Sequence, residues 1–192
     1  MIGNDIVDLS LAEKQSNWRR KGFLDKVYSS NEQAMILEAS TPDILVWKLW
    51  SMKESAYKAR LKVHKRIQLN PKAFECQILS EDKGIVTCGG KIYRTVSEIN
   101  DDFVHTHAYM EGFDTTLSSK VISINQRHFG SKQLYNAMIS SVAISMSCDA
   151  GDVVIEKNSL GIPELYRMGQ KMPQLCSFSH HGRYGAYLTT TL

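Results

Sequence analysis

The chain reads as an α+β protein made of two similar halves. Three features of the 192-residue sequence support this: alternating, β-branched runs in both halves, one long helical signature in each, and a polar seam near Glu111 to Ser119. The seam divides the chain into residues 1–112 and 113–192. At 43% hydrophobic residues the chain can bury a core in each part. No exact repeat or low-complexity tract occurs, so any duplication would be one of topology.

Ile2 to Leu9 is short and β-branched, a strand pattern, and Ser10 is placed to cap a helix running to about Arg20. Ser29 with Glu32 and Ser30 with Gln33 form two overlapping capping boxes ahead of a helix from Asn31 to Ala39. Thr41, Pro42 and Asp43 supply a cap, a proline where no amide hydrogen bond is lost, and a carboxylate at the positive helix end. They start the longest helix, which runs to about Val63. Phe74 to Leu79, Ile85 to Cys88, Lys91 to Ile99 and Phe103 to Met110 follow as strands, punctuated by Gly89-Gly90 and Asn100-Asp101. The second half repeats the pattern more faintly. It has a strand at Val121 to Asn125, a helix at Lys132 to Ala143, and strands at Val153 to Lys157, Pro163 to Tyr166, Leu175 to Phe178 and Gly185 to Thr190.

Composition narrows the function classes. Twenty-three basic and 20 acidic side chains leave a net charge of +3, too even for a general nucleic-acid binder. Four cysteines without CxxC or metal-finger spacing read as free thiols in a reducing cytoplasm. The N-terminus has no basic n-region or long apolar run, and no window is apolar enough for a spanning helix, so no membrane partner is expected.

The long helix carries the most informative residues. At 3.6 residues per turn Trp47, Trp50, Glu54, Lys58 and Leu61 share one stripe, with Lys53, Tyr57 and Arg60 beside it. Taken alone, this is a core stripe edged by a solvated Glu54–Lys58 pair, worth about 0.3–0.5 kcal/mol. The first strand adds Asp5, a carboxylate among apolar neighbours that calls for a partner. Asp5 and Glu54 together suit one Mg²⁺, an ion that takes one or two carboxylates and fills its remaining positions with water and substrate phosphate. Asp8 is a further acid and a candidate ligand, although its strand face is opposite to that of Asp5.

Gly3 to Leu9 (GNDIVDL), Trp50 to Ala59 (WSMKESAYKA) and Ser177 to Leu188 (SFSHHGRYGAYL) together resemble the three signatures of the 4'-phosphopantetheinyl transferase superfamily. That resemblance implies transfer of the phosphopantetheine arm of coenzyme A to a serine of an acyl or peptidyl carrier protein, with release of 3',5'-ADP. It implies Mg²⁺ on Asp5 and Glu54, Glu54 also as acceptor of the serine proton, Lys58 and Lys53 as phosphate contacts, and Ser179, His180 and Arg183 at the nucleotide phosphates. His181 is an extra histidine with no assigned role, and His105 and His107 read as structural or surface residues.

The departures matter equally. The position two residues after Asp5 is Val7, not an acid, and Gly161-Ile162-Pro163 lacks the lysine of the family's GKP. Lys62 to Arg66 is a basic run that reads either as a solvated helix end or as a contact for the 3'-phosphate or an acidic carrier. Arg19 to Lys21 reads as a solvated face or as part of a carrier-docking surface. The SH segment comes last, as in the small holo-acyl-carrier-protein synthases, yet the chain is too long for one of their subunits. The resemblance therefore implies two fused halves forming a monomeric pseudo-dimer with the active site between them; a trimer follows if the chain is an extended small synthase. A magnesium-dependent phosphohydrolase and a non-catalytic carrier-protein or nucleotide-binding module are the alternatives.

Overall fold

The computed structural model describes residues 1–64, 68–124 and 130–191. Asn125, at the end of one expected strand, and Lys65 and Arg66 of the basic run lie outside them. Two five-stranded antiparallel sheets form. The first holds β1 (Ile2–Asp8), β5 (Phe103–Met110), β4 (Lys91–Ile99), β3 (Lys83–Cys88) and β2 (Glu75–Ile78) in that spatial order. The second holds β6 (Leu117–Ser123), β10 (Tyr184–Thr190), β9 (Gln170–His181), β8 (Pro163–Arg167) and β7 (Val153–Lys157). Each sheet pairs its first strand with its last and runs back through the others, so both halves share one topology. No helix among the described residues is long and apolar enough to cross a membrane.

Among the described residues five α-helices accompany the sheets: α1 (Leu9–Gln15), α2 (Phe23–Val27), α3 (Ser30–Glu38), α4 (Pro42–Leu61) and α5 (Gly130–Ser145). The capping box at Ser29 forms as the sequence predicts: Glu32 donates its amide to the Ser29 hydroxyl and accepts the Ser29 amide. At α1 the expectation fails. Asp8, not Ser10, is the N-cap, accepting the Leu11 amide, and the helix stops at Gln15 instead of about Arg20; the separate helix α2 follows. A carboxylate two residues earlier caps the helix's first orphan amides in place of the serine hydroxyl. The Gly89-Gly90 pair turns β3 into β4 with φ of 55° and 70°, the left-handed geometry of a tight hairpin. Strand β9 is longer than expected, because Gln170 to Gln174 pair or extend despite their polar character.

Each half has its own core. Val46, Leu49, Met52 and Ala56 of α4 pack on Val86, Tyr93, Val104 and Ala108 of the first sheet. Leu134, Met138 and Val142 of α5 pack on Leu165, Cys176 and Tyr187 of the second. A small cluster of Ile6, Phe103 and Ala186 joins the two sheets.

Strand β1 lies between these cores and touches both. Its alternation sends Gly3, Asp5 and Val7 toward α4, and Ile2, Asn4, Ile6 and Asp8 toward the second sheet. Gly3 is the closest point of approach: a Cβ there would collide with the Ser55 carbonyl and the Ala59 nitrogen of α4. Both obstacles are backbone and cannot rotate away. Gly3→Ala is therefore expected to cost about 3 kcal/mol, the upper end for overpacking, read by urea denaturation. An unchanged midpoint would show that β1 and α4 are not held this tightly.

Candidate active site

The β1–α4 contact sets the geometry of the candidate site. Lys58, in the last turns of α4, donates to the Asn4 carbonyl at 2.9 Å and to Asp5 Oδ1 at 3.0 Å. Glu54 lies one helical turn earlier on the same stripe. Burial, then the negative charge of Asp5, push the Glu54 carboxyl up to about 7, only partly offset by Lys58. Two carboxylates and one ammonium thus share a half-buried cleft, with the net electrostatics favouring either a proton or an added cation.

The third contributor comes from the other half. His180, near the end of β9, is exposed and stands where two pockets meet. One pocket, about 280 Å³, runs between the end of α4 and the second sheet, past Lys58, Lys62, Lys157, Tyr135 and Pro163. The other, about 430 Å³, contains Asp5, Glu54 and His181. Three ammonium groups line the smaller pocket. Lys62 donates to the Ile2 carbonyl at 2.8 Å, and burial lowers its pKa to about 8. Lys157 brings a charge beside Gly161-Ile162-Pro163, where the sequence lacks a lysine.

Asp5, Glu54, Lys58 and His180 are therefore brought together, whereas three other expected residues are not. Lys53 is fully buried on the neighbouring face of α4. It pairs with Glu32 at 2.8 Å and also donates to the Pro71 and Phe74 carbonyls, leaving no ammonium hydrogen for a phosphate. Ser179 points the opposite way from His180, as alternation along β9 requires, and its buried hydroxyl accepts the Asn4 side-chain amide at 3.1 Å. Arg183 closes on Asp8, with its Nε and Nη2 each 2.9 Å from carboxylate oxygens, and reaches Asp102 at 3.2 Å.

Asp8 is correspondingly structural. Burial alone would raise its pKa, but hydrogen bonds from the Arg183 guanidinium and from the Arg183 and Leu11 amides outweigh it and hold it at about 2. Arg19 is likewise paired, bidentate to Asp43 at 2.6 and 2.8 Å. His105 is structural as expected: it is buried beside Asn4, and burial drives its pKa down to about 3, so the ring is neutral. Reading the sequence missed Asn4, which holds the halves together by donating its amide to Ser177 at 3.1 Å and its side chain to Ser179. Its one visible sign is a polar residue out of phase with Asp5 in an apolar strand.

The fold and the cleft define a class: a two-sheet α+β protein with paired carboxylates facing lysine and histidine across a junction of similar halves. The sequence model of the 4'-phosphopantetheinyl transferase superfamily matches residues 1–136, and the chain belongs to that superfamily. A holo-[acyl-carrier-protein] synthase from Verminephrobacter eiseniae (strain EF01-2) is 40% identical over 58 residues, covering 30% of this chain and 44% of that protein. The match thus spans less than half of that relative's length. The crystal structure of Thermotoga maritima holo-[acyl-carrier-protein] synthase superposes with a TM-score of 0.46 at 11% identity, covering 88% of this chain and 83% of that one.

Two expectations test these assignments. Lys53→Met leaves Glu32 buried without its cation and should lower stability by about 3–5 kcal/mol, whereas Lys58→Met should change it by no more than about 1 kcal/mol; equal losses in chemical denaturation would refute the division. Glu54 binds its proton more tightly folded, at about 7, than at its ordinary 4.5. Its stabilising effect is therefore complete below about pH 4.5 and is lost as pH rises through about 7. Glu54→Gln should flatten that decline across thermal melts, and an unaltered pH profile would contradict the raised value.

Proposed function

We propose that the chain transfers the 4'-phosphopantetheine group of coenzyme A to a serine of an apo acyl or peptidyl carrier protein, releasing 3',5'-ADP. Supporting this are membership of the superfamily and, above all, a carboxyl group raised to about 7 beside a second carboxylate and a lysine. A base with that value is matched to taking a proton near neutrality. Glu54 accepts the serine hydroxyl proton as the serine oxygen bonds to the β-phosphorus. The bond from that phosphorus to the bridging oxygen breaks, and 3',5'-ADP leaves with the electron pair. Lys58 neutralises the diphosphate as a point charge, and His180 donates to it from the opposite wall. Lys62 and Lys157 hold the nucleotide end in the smaller pocket.

The donor set fits Mg²⁺. Asp5 and Glu54 are two hard oxygen ligands; burial and, after it, the charge of Asp5 raise the Glu54 carboxyl, and a cation there would offset both. Bound there, Mg²⁺ supplies charge neutralisation to the diphosphate. Residues 1–112 and 113–192 act as the two fused halves of a monomer, in the cytoplasm, where the free cysteines Cys76, Cys88, Cys148 and Cys176 are at home.

Mass spectrometry of apo carrier proteins incubated with coenzyme A, Mg²⁺ and this chain should show an added phosphopantetheine of roughly 340 Da. Glu54→Gln should slow its appearance by at least about 100-fold while still unfolding in one cooperative transition. No increment on any of several carriers would refute the transfer, and full activity of the variant would remove Glu54 from it.

A further inference from the structure

A separate crevice lies in the second half, where the last turns of α5 meet the sheet. Ser141, Val142 and Ser145 of α5 line it together with Ser118 of β6, Gln174 of β9 and Thr189 of β10, and its volume is about 40 Å³. A water takes up about 30 Å³ in the liquid, so the crevice holds a single ion or water and nothing larger. Gln174 precedes His180 by six residues on β9, about 20 Å along an extended strand. None of the crevice residues lines the two pockets of the candidate active site.

What the crevice offers a ligand is lone pairs. Among the described residues that line it, all but Val142 carry a side-chain oxygen and none carries a charge. A hydroxyl has one hydrogen to donate, and three of these have given theirs to backbone carbonyls: Ser145 to Val142 at 2.8 Å, Thr189 to Thr190 at 3.2 Å and Thr191 to Thr116 at 3.3 Å. Gln174 supplies a further oxygen. The residue is only 8% exposed, and its Oε1 is buried with no hydrogen-bond donor among the described residues. Leaving a buried acceptor unmet is costly, so this oxygen calls for a ligand. The helix adds to the same field, because its C-terminal end carries partial negative charge and the last turn of α5 has no basic side chain to offset it.

We infer that this crevice binds a dehydrated monovalent cation of the size of K⁺, held by the neutral oxygens of Gln174, Thr189 and the α5 serines. A divalent ion calls for carboxylates among its ligands, and the crevice has none. Neutral oxygens suffice to replace the hydration shell of K⁺. A water has two hydrogens and can donate to only two of these oxygens, whereas a cation is met by every lone pair that reaches it. The bound ion ties α5 to β6, β9 and β10, and so braces the half that carries His180. This inference does not depend on the transfer chemistry.

Urea denaturation in potassium chloride and in tetramethylammonium chloride, at one ionic strength, tests the assignment, since the larger ion cannot enter. Potassium should raise the midpoint saturably, with the folded-to-unfolded ratio about tenfold higher at ten times its dissociation constant. Gln174→Met removes the oxygen and keeps the length of the side chain. It should abolish the potassium response and, having lost an orphaned oxygen, be no less stable than the wild type in tetramethylammonium. Thr189→Val removes lone pairs at another point of the wall and should blunt the same response, which keeps the test open if the first variant does not fold. Crystals soaked in rubidium chloride should show an anomalous peak between Ser141 and Gln174. Identical midpoints in the two salts, an undiminished potassium response in the variants, or water alone in the rubidium-soaked crevice would each overturn the assignment.

Discussion

Everything at the candidate site depends on how closely strand β1 lies against helix α4. Gly3 has no side chain to hold them apart, and the backbone of one meets the backbone of the other. At that separation Lys58 reaches both the Asn4 carbonyl and the Asp5 carboxylate. A wider gap would leave Asp5 without its cation and Glu54 without the neighbour that helps raise it. The opposite face of the same strand holds the second half through Asn4, Ile6 and Asp8. One seven-residue strand therefore transmits the position of each half to the other, and the site forms where its two faces meet β9 and α4.

Helix α4 divides its lysines by face. Lys53 and Lys58 are five residues apart, about 140° around the helix from each other, and their environments differ accordingly. Lys53 is enclosed with Glu32, which is further occupied by the Ser29 and Cys76 amides. Every polar atom of that pair has a partner, the condition under which a buried ion pair is tolerated. Lys58 stays partly exposed, with one hydrogen to spare after its two bonds. The same residue type thus serves as an internal brace at one position and, paired with Asp5, as a partly exposed charge at the other. Glu54 occupies the intermediate case, half-buried beside another acid, and answers by holding its proton near neutral pH.

Much of this was legible in the sequence, for reasons that can be named. The long helix showed itself through its proline start and its apolar stripe, and the hairpin through Gly89-Gly90, because these signals are local. Asp5 and Glu54 drew notice as acids in apolar runs, and Lys58 and His180 through the resemblance of the motifs that carry them. The errors share a cause: Lys53, Ser179 and Arg183 stand next to residues that do face the cleft, and a motif read as a string does not say which face each letter takes. Strand alternation separates Ser179 from His180, but only the register against β1 shows that Ser179 meets Asn4. Asp8 and His181 depended on a contact between residues 173 apart in sequence, beyond any local pattern.

A crystal structure of the chain with coenzyme A and Mg²⁺ tests the central claim most directly, that one chain completes a site at the junction of its two halves. The diphosphate should lie between Lys58 and His180 of the same chain, with the cation on Asp5 and Glu54. A diphosphate bound away from that junction, or a site finished by residues of a second copy, would contradict it.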